Sequence, residues 1–201
     1  MVTFYPAAYP SVVLDYDLEA AHYDETRGGL PRAEAAAAAV RGLVPGGTLL
    51  DVACGTGLVS KELARRGLRV LGVDASAGMA GLAAGRVPVV RGDGSLLPVR
   101  DGSVDAVITI WLLHLLDDAR PVIAEAARVV RPGGVYVTTV DKRAAHGGGG
   151  RGRPADGAEL VVTEAARHGL RQGGEVTFVG HGQGRDGPDP VFRLLAFTRD
   201  R

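Results

Sequence analysis

The sequence contains very little cysteine and lysine, and it has no excess of either charge. Cys54 is the only cysteine among the 201 residues, which excludes a disulfide framework and a zinc site built from cysteines. Lysine and arginine together number 23, and aspartate and glutamate also number 23, so the formal net charge is zero. Proteins dedicated to nucleic acids normally carry a basic excess. The composition therefore argues against a nucleic-acid partner.

Long apolar runs are also missing. The longest uncharged stretch near the middle of the chain, 106–116, has eleven residues, whereas a transmembrane helix needs about 20. Residues 1–14 have no basic residue before their apolar stretch, so no secretory signal is predicted. We therefore expect a cytoplasmic protein without a membrane partner. The length fits a single domain, here residues 1–201.

Strands and helices alternate along most of the chain. Short apolar runs predict strands at 48–52, 69–73, 87–90, 104–110 and 135–140. Helices are predicted at 33–40, 58–66, 76–84 and 119–130. This alternation indicates βαβ units and a parallel sheet. After a glycine-rich loop at 143–153 and a helix at 158–169, the last strands, 175–180 and 191–198, have no helix between them and are expected to pair antiparallel.

A glycine-rich turn follows the first predicted strand. Residues 49–57 read LLDVACGTG, so a strand enters a loop with two glycines and a helix follows. Glycines let a ligand approach the backbone, and the helix N-terminus offers free N–H groups. A tight turn without a ligand is the alternative interpretation. Asp74 lies 19 residues after Gly55, where a carboxylate can accept hydrogen bonds from ribose hydroxyls, so we expect an adenosine-containing ligand.

Asp51 and Ser60 favour S-adenosylmethionine over NAD. The nicotinamide pattern G-x-G-x-x-G has Ser60 at its third glycine position. Asp51, at the end of the first strand, would repel a pyrophosphate but would attract an ammonium and a sulfonium. Such an interaction at about 4 Å is worth about 4 kcal/mol at an effective dielectric constant of 20. Asp93, after the third strand, is either an acceptor for the adenine amino group or a solvated loop acid.

Four stretches in the expected order resemble the class I S-adenosylmethionine-dependent methyltransferases. They are LLDVACGTG (49–57), VDAS (73–76), RGDGSLLPVRDGSVDAVI (91–108) and ARVVRPGGVYVTT (127–139). The sequence is most similar to the small-molecule branch, because His22-Tyr23-Asp24, followed by Arg27, matches a Tyr-Asp element of that branch. The resemblance implies a Rossmann-like α/β fold whose seven-stranded sheet has the order 3-2-1-4-5-7-6, with strand 7 antiparallel and helices on both faces.

The resemblance also implies a binding site for S-adenosylmethionine. Asp51, Cys54, Gly55 and Gly57 would surround the methionine part, Asp74 would hold the ribose, and Asp93 and Gly94 the adenine edge. Met79 would pack on the adenine, with Ala75 and Ile110 as further cofactor contacts. Tyr23 and Arg27 would close over the methionine carboxylate, or would belong to an ordinary amphipathic helix. Residues 1–30 are therefore expected to form a lid over a cofactor-binding core, 31–201.

The acceptor side is less defined. His114 and His181 follow predicted strands and are candidate catalytic bases. The alternative for His114 is a helix cap or a contact on the adenine side, and the alternative for His181 is a solvated turn residue. Trp111 is expected in the core or in a pocket wall. No metal site is predicted, and we expect a monomer or homodimer that methylates a small molecule in specialised-metabolite biosynthesis. The alternatives are a protein that uses the bound cofactor to promote cyclisation or rearrangement, and a non-enzymatic cofactor-binding module.

Overall fold

Seven strands form one mixed sheet. The computed structural model describes residues 15–147, 155–184 and 187–201. The strands are β1 Thr48–Val52, β2 Arg69–Asp74, β3 Val89–Arg91, β4 Val104–Thr109, β5 Val130–Val140, β6 Leu170–Val179 and β7 Val191–Arg199. Their order is β3-β2-β1-β4-β5-β7-β6, and β7 runs antiparallel to both of its neighbours. The predicted order and the antiparallel last strand are confirmed.

The helices connect and cover these strands. They are α1 Tyr16–Glu19, α2 Tyr23–Thr26, α3 Gly29–Leu43, α4 Leu58–Arg65, α5 Ala77–Ala83, α6 Arg120–Val129, α7 Lys142–Ala145 and α8 Ala158–Arg167. Two single-turn 3-10 helices, Ala20–His22 and Leu113–Leu115, complete the set. None of the helices within the described ranges is long and apolar enough to cross a membrane.

Neighbouring residues of β1 face opposite sides of the sheet. Leu49 belongs to a buried cluster that includes Val40 of α3 and Leu63 of α4. Leu50 belongs to a second cluster, with Ile123 of α6. Because successive side chains of a strand point to opposite faces, a buried parallel strand needs helices on both sides. Both faces are covered here, which leaves the carboxyl edge of the strands for a binding site.

Two predicted strand starts are wrong by five residues. The chain passes from α6 into β5 at Val130 without a loop, and Pro132-Gly133-Gly134 lies inside the strand, where the register with β4 shifts. Gly133 has a φ of +75°, which a glycine adopts at little cost. In the same way β6 begins at Leu170, directly after Gly169 at φ +71°. Glycines that read as loops in the sequence are therefore accommodated within irregular strands.

Two helical predictions also need correction. Helix α3, expected to run through 33–40 with Pro31 in its first turn, begins at Gly29 and extends to Leu43, so it starts within the expected lid. The predicted glycine-rich loop at 143–153 starts inside a one-turn helix, α7, and residues 148–154 lie outside the described part of the chain. Residues 1–14 of the expected lid lie outside it too. The division into a lid and a core stays a prediction.

Candidate functional site

A cavity of about 310 Å³ lies at the carboxyl ends of the central parallel strands. The N-terminal helices contribute to its wall through Tyr16, Tyr23 and Arg27, and the turn after β4 contributes Trp111. Most of the residues predicted to contact the cofactor meet in this cavity, namely Tyr23, Arg27, Asp51, Cys54, Gly55, Asp74, Ala75, Met79, Asp93, Gly94 and Ile110. The position agrees with the rule that ligands of open α/β sheets bind beyond the carboxyl ends of the strands.

The glycine loop is held by Asp74. The backbone N–H of Gly55 donates a hydrogen bond to Asp74 Oδ2 at 2.7 Å, and that of Ser76 donates to Oδ1 at 3.0 Å. Gly55 has a φ of +57°, and apart from its two chain neighbours no described residue lies within 4 Å of the place that a Cβ atom would take. Burial raises the pKa of Asp74, although both N–H groups oppose this shift. One carboxylate thus orders the loop and also faces the cavity.

Asp51 is buried at the end of β1, with 3% of its surface exposed. Ser60 Oγ donates a hydrogen bond to Asp51 Oδ2 at 2.5 Å. Burial raises the pKa of Asp51 to about 7, and the charge of Asp74 adds to this shift. A cationic group in the cavity would stabilise the ionised carboxylate. The electrostatics therefore suit a positively charged ligand beside β1.

Gly57 differs from the other predicted loop residues, because it does not line the cavity. Its φ is +80°, and a Cβ atom at this position would lie only 3.1 Å from the Cα atom of Ala83 in α5. The close approach of α4 to α5 accounts for a glycine at this position. Cofactor contact by Gly57 stays a prediction.

Cys54 is held over a glycine of the next strand. A side chain at Gly72 would begin 2.7 Å from Cys54 Sγ. Burial raises the pKa of this thiol, so it stays protonated and serves as part of the wall. Met79, which is 1% exposed, forms another apolar part of the wall.

Asp93 and Gly94 form the β3 side of the cavity. Asp93 Oδ1 accepts hydrogen bonds from the backbone N–H and the hydroxyl of Ser95, both at 2.8 Å. These hydrogen bonds hold the pKa of Asp93 below its ordinary value. A side chain at Gly94 would begin 2.9 Å from Val52 Cγ1, so this loop is tightly packed on β1. Asp93 is therefore a fixed, charged acceptor at the cavity edge.

Two acids that were not predicted as site residues fasten the N-terminal segment to the site. Asp24 Oδ1 accepts a 2.6 Å hydrogen bond from Thr56 Oγ1 in the glycine loop, and Asp24 Oδ2 pairs with Arg86 at 2.8 Å. Asp17 accepts hydrogen bonds from Ser76 Oγ and from the N–H of Gly78 at the start of α5. The mixture of acids and tyrosines in residues 1–30 was the available signal, but the partners are too distant in sequence to be read from it.

The opposite side of the cavity is basic and aromatic. Arg32 of α3 is 5% exposed, and its guanidinium carbon lies 3.4 Å from the centre of the Trp111 ring, a cation–π contact. Trp111 has a φ of +58°, and its backbone N–H donates a hydrogen bond to Thr139 Oγ1 at 2.6 Å. A bulky residue at positive φ is held there by its surroundings and often marks a functional site. Trp111 is thus a pocket wall, one of its two predicted places.

His114 and His181 do not line this cavity. His114 Nε2 lies 2.9 Å from Lys142 Nζ. Burial and the positive charge of Lys142 lower the pKa of His114 to about 3, so the ring is neutral. His181 is half exposed, with Nδ1 3.8 Å from Asp189 Oδ2. Their catalytic roles stay predictions.

Lys142 was not predicted as a site residue. Burial is the largest cause that lowers its pKa, to about 7, followed by the charges of Arg32 and Arg27. Lys142 lines a second cavity, of about 680 Å³, together with Arg27 and His146. The described residues contain no grouping of three or more histidine, cysteine or acidic side chains suited to a metal ion.

The middle of the chain is similar to known methyltransferases. Residues 50–138 match the family model described as a methyltransferase domain. The demethylmenaquinone methyltransferase of Corynebacterium efficiens is 45% identical over 95 residues, which are 46% of this chain and 40% of that protein. The chain therefore matches well under half of the length of the curated relatives.

Solved structures share the fold over almost the whole chain. A Thermotoga maritima S-adenosylmethionine-dependent methyltransferase, described as a possible histamine N-methyltransferase, has a TM-score of 0.71 at 20% identity and covers 92% of this chain and 98% of its own. The (4+2)-cyclase SpnF has a TM-score of 0.73 at 21% identity, with 92% and 93% covered. At these identities the likeness shows the fold alone. The domain match and the sheet order confirm the resemblance seen in the sequence, and residues 50–138 are similar to the methyltransferase domain.

Proposed function

We propose that this protein transfers the methyl group of S-adenosylmethionine to a small molecule. The observation that carries this proposal is the pair Asp51 and Asp74, which lie at the ends of β1 and β2 beside the glycine loop and line one cavity. This pair lies inside the stretch that matches the methyltransferase domain. A buried acid at β1 suits the positive charges of the cofactor and opposes the phosphates of NAD.

The residues around the cavity can each hold one part of the cofactor. Asp74 would accept hydrogen bonds from the ribose hydroxyls, and Asp51 would bind the ammonium group. Asp93 and Gly94 would meet the adenine edge, while Ala75, Met79 and Ile110 would supply apolar contacts. The cofactor supplies a methyl group that is electrophilic because it is bonded to a sulfonium.

The N-terminal segment would complete the site. Tyr23 and Arg27 line the cavity, and the Asp24 contacts hold this segment against the glycine loop. Arg27 would bind the methionine carboxylate, so that the segment acts as the predicted lid. Deletion of residues 1–28 is accordingly expected to leave a folded core with weak cofactor binding.

Methyl transfer needs an acceptor atom held in line with the methyl–sulfur bond. Positioning alone can supply about 7–11 kcal/mol of the barrier reduction, so this chain's main task is to orient two ligands and exclude water. A general base is required mainly for a hydroxyl acceptor. His114 and His181 stay candidates for that role.

Binding comes first in the test of this function. Calorimetry is expected to detect S-adenosylmethionine and S-adenosylhomocysteine but not NAD. Equal or tighter binding of NAD would contradict the assignment of the cofactor.

Turnover is then measured as release of S-adenosylhomocysteine, with a panel containing a soluble demethylmenaquinol analogue, histamine and aromatic hydroxy acids. The expected product is heavier than its acceptor by one methyl group. A rearranged product of unchanged mass would favour cyclisation, and binding without turnover of any acceptor would favour a non-enzymatic module. The cytoplasmic location and the monomeric or dimeric state stay predictions.

A further inference from the structure

Three cationic side chains from distant parts of the sequence meet beside the ends of β4 and β5. Arg27 ends the N-terminal segment, Arg32 belongs to α3 and Lys142 begins α7. Arg32 donates a 3.0 Å hydrogen bond to the backbone carbonyl of Arg27. Arg27 lines the first cavity together with Arg32 and the second cavity together with Lys142. We call these three residues the cationic cluster.

Acidic side chains compensate the cationic cluster only from a distance in the part of the chain that the structure describes, through Asp24 near Arg32 and Asp156 near Lys142. No carboxylate there forms an ion pair with Arg27, Arg32 or Lys142, whereas Asp24 pairs with Arg86. Asp156 is near Lys142, but it accepts a hydrogen bond from the backbone N–H of that residue at 2.8 Å. Buried charges are normally paired, so three cationic groups without a direct ion pair leave an excess of positive charge that a bound anion would neutralise.

Hydrogen-bond donors in the same place also lack acceptors. Arg27 Nε, Arg32 Nε and Trp111 Nε1 are buried, and none has a hydrogen-bond partner within residues 15–147, 155–184 and 187–201. Arg32 is 5% exposed and belongs to the cavity wall. Buried polar groups are nearly always satisfied in folded proteins. Two of these unsatisfied hydrogen-bond donors belong to positively charged guanidinium groups, so they point to an anionic ligand.

The carboxylate of the cofactor accounts for only part of this positive charge. It carries one negative charge and is expected at Arg27, which leaves Arg32 and Lys142. The cavity wall beside Arg32 is aromatic at Trp111, whose ring is held by the buried Phe178 and Phe192 with ring centres 5.8 and 5.6 Å away. A flat molecule with an acidic group would match both features.

We infer that the methyl acceptor is a small molecule with an oxyanion, a carboxylate or a phosphate, whose apolar part lies against Trp111 in the first cavity while its oxyanion binds between Arg32 and Lys142, where Arg27 joins the two cavities. The inference rests on the proposed function, because it names the class of acceptor for the same site. Arginine forks suit both oxyanions, and a charge-assisted hydrogen bond is about twice as strong as a neutral one.

The test uses small probes, since the acceptor itself is unidentified. Benzoate, phenyl phosphate and the neutral benzamide are titrated into the full chain saturated with S-adenosylhomocysteine, and binding is followed by ligand-observed NMR. At least one of the two anions is expected to bind about tenfold more tightly than benzamide. The tighter anion identifies the acceptor group as carboxylate or phosphate.

Lysine variants then locate the effect. Lys142→Met should abolish the preference for the anion, and Lys142→Arg should retain most of it. Lys61, the other lysine of the chain, is exposed on α4, so Lys61→Met is the matched control and should leave the preference intact. If Lys142→Met unfolds, Lys142→Gln serves the same purpose.

Several results would overturn the inference. Equal binding of anions and benzamide would do so, as would no measurable binding of any probe, or a preference that survives in both neutral Lys142 variants. These results differ from a failure of the proposed function, which would appear first as no binding of S-adenosylhomocysteine.

Discussion

The site has two halves of opposite charge, and they come from the sequence in different ways. The acidic half consists of Asp51 and Asp74, which end neighbouring strands and flank one loop. The basic half consists of Arg27, Arg32 and Lys142, which belong to three separate elements. The comparison teaches that a local motif can reveal a cofactor pocket, whereas an acceptor pocket is assembled from residues without a common motif.

Burial acts on the two halves in opposite directions but with the same result. It raises the pKa of Asp51 to about 7 and lowers that of Lys142 to about 7. Each group is therefore close to losing its charge at neutral pH, because the low dielectric disfavours the ionised form. A ligand of opposite charge restores ionisation on each side. The two halves are thus prepared for a cation and an anion, respectively.

The largest effect is expected from breaking the acidic half at Asp74. Asp74→Asn should weaken S-adenosylhomocysteine binding by about 10- to 100-fold, because hydrogen bonds to a charged group are worth about 1.5–3 kcal/mol. One amide oxygen replaces two carboxylate oxygens, so the hydrogen bonds to Gly55 and Ser76 can no longer both be kept. Calorimetry measures the affinity.

Asp117→Asn is the matched control, since Asp117 is exposed and lies away from the cavity. It should bind S-adenosylhomocysteine like the unaltered protein. Unchanged affinity in a folded Asp74→Asn variant would show that Asp74 does not contact the ribose.

The acidic half and the sheet could be predicted because their signals are local. The strand order followed from the resemblance, and the placement of Asp51 and Asp74 at strand ends followed from apolar runs that stop at those residues. Gly57 shows the limit of the motif, because its positive φ serves the packing of α4 on α5 and not the cavity wall.

The basic half could not be predicted, because its contacts join distant residues. Lys142 lies between the predicted fifth strand and the predicted glycine-rich loop at 143–153, and only the fold brings it to 2.9 Å from His114. Arg32 lies in an alanine-rich helix, where an arginine normally reads as a solvated residue. Its place over the Trp111 ring depends on the positive φ of that tryptophan. Tertiary structure decides these roles.

A second, smaller effect should appear in the pH dependence of cofactor affinity, which tests the acidic half alone. Asp51 must be ionised to attract the cofactor's ammonium group, so affinity should rise as the pH passes through about 7. Asp51→Asn should remove this dependence. Ser60→Ala should move the midpoint to higher pH, because the Ser60 hydrogen bond lowers the pKa of Asp51. Calorimetry between pH 6 and 8, at about unit intervals in pH, covers the transition.

The same titration predicts a change in stability without ligand. The pKa of Asp51 is raised from 3.8 to about 7 by folding, so its ionisation destabilises the folded protein progressively as the pH rises through this interval. Asp51→Asn should therefore raise the melting temperature relative to the unaltered protein at pH 8 but not at pH 4. A flat affinity profile in the unaltered protein, together with equal melting curves, would show that Asp51 is not the titrating group.

The smallest effect on cofactor binding is expected at Asp24, which holds the N-terminal segment against the glycine loop. Its ion pair with Arg86 is about a quarter exposed on each side, and such pairs contribute little, about 0.2–1 kcal/mol. Asp24→Asn should therefore weaken cofactor binding only about two- to fivefold. It should speed trypsin cleavage after Arg27 in the absence of ligand, because the segment that carries Tyr23 and Arg27 is held less firmly to Thr56. Added S-adenosylhomocysteine should restore protection, since ligand contacts order the segment again.

Glu25→Gln, at a neighbouring and largely exposed position, is the control and should be cleaved like the unaltered protein. If Asp24→Asn is cut at the same rate as this control with and without ligand, the segment is a fixed part of the fold and the lid interpretation is wrong.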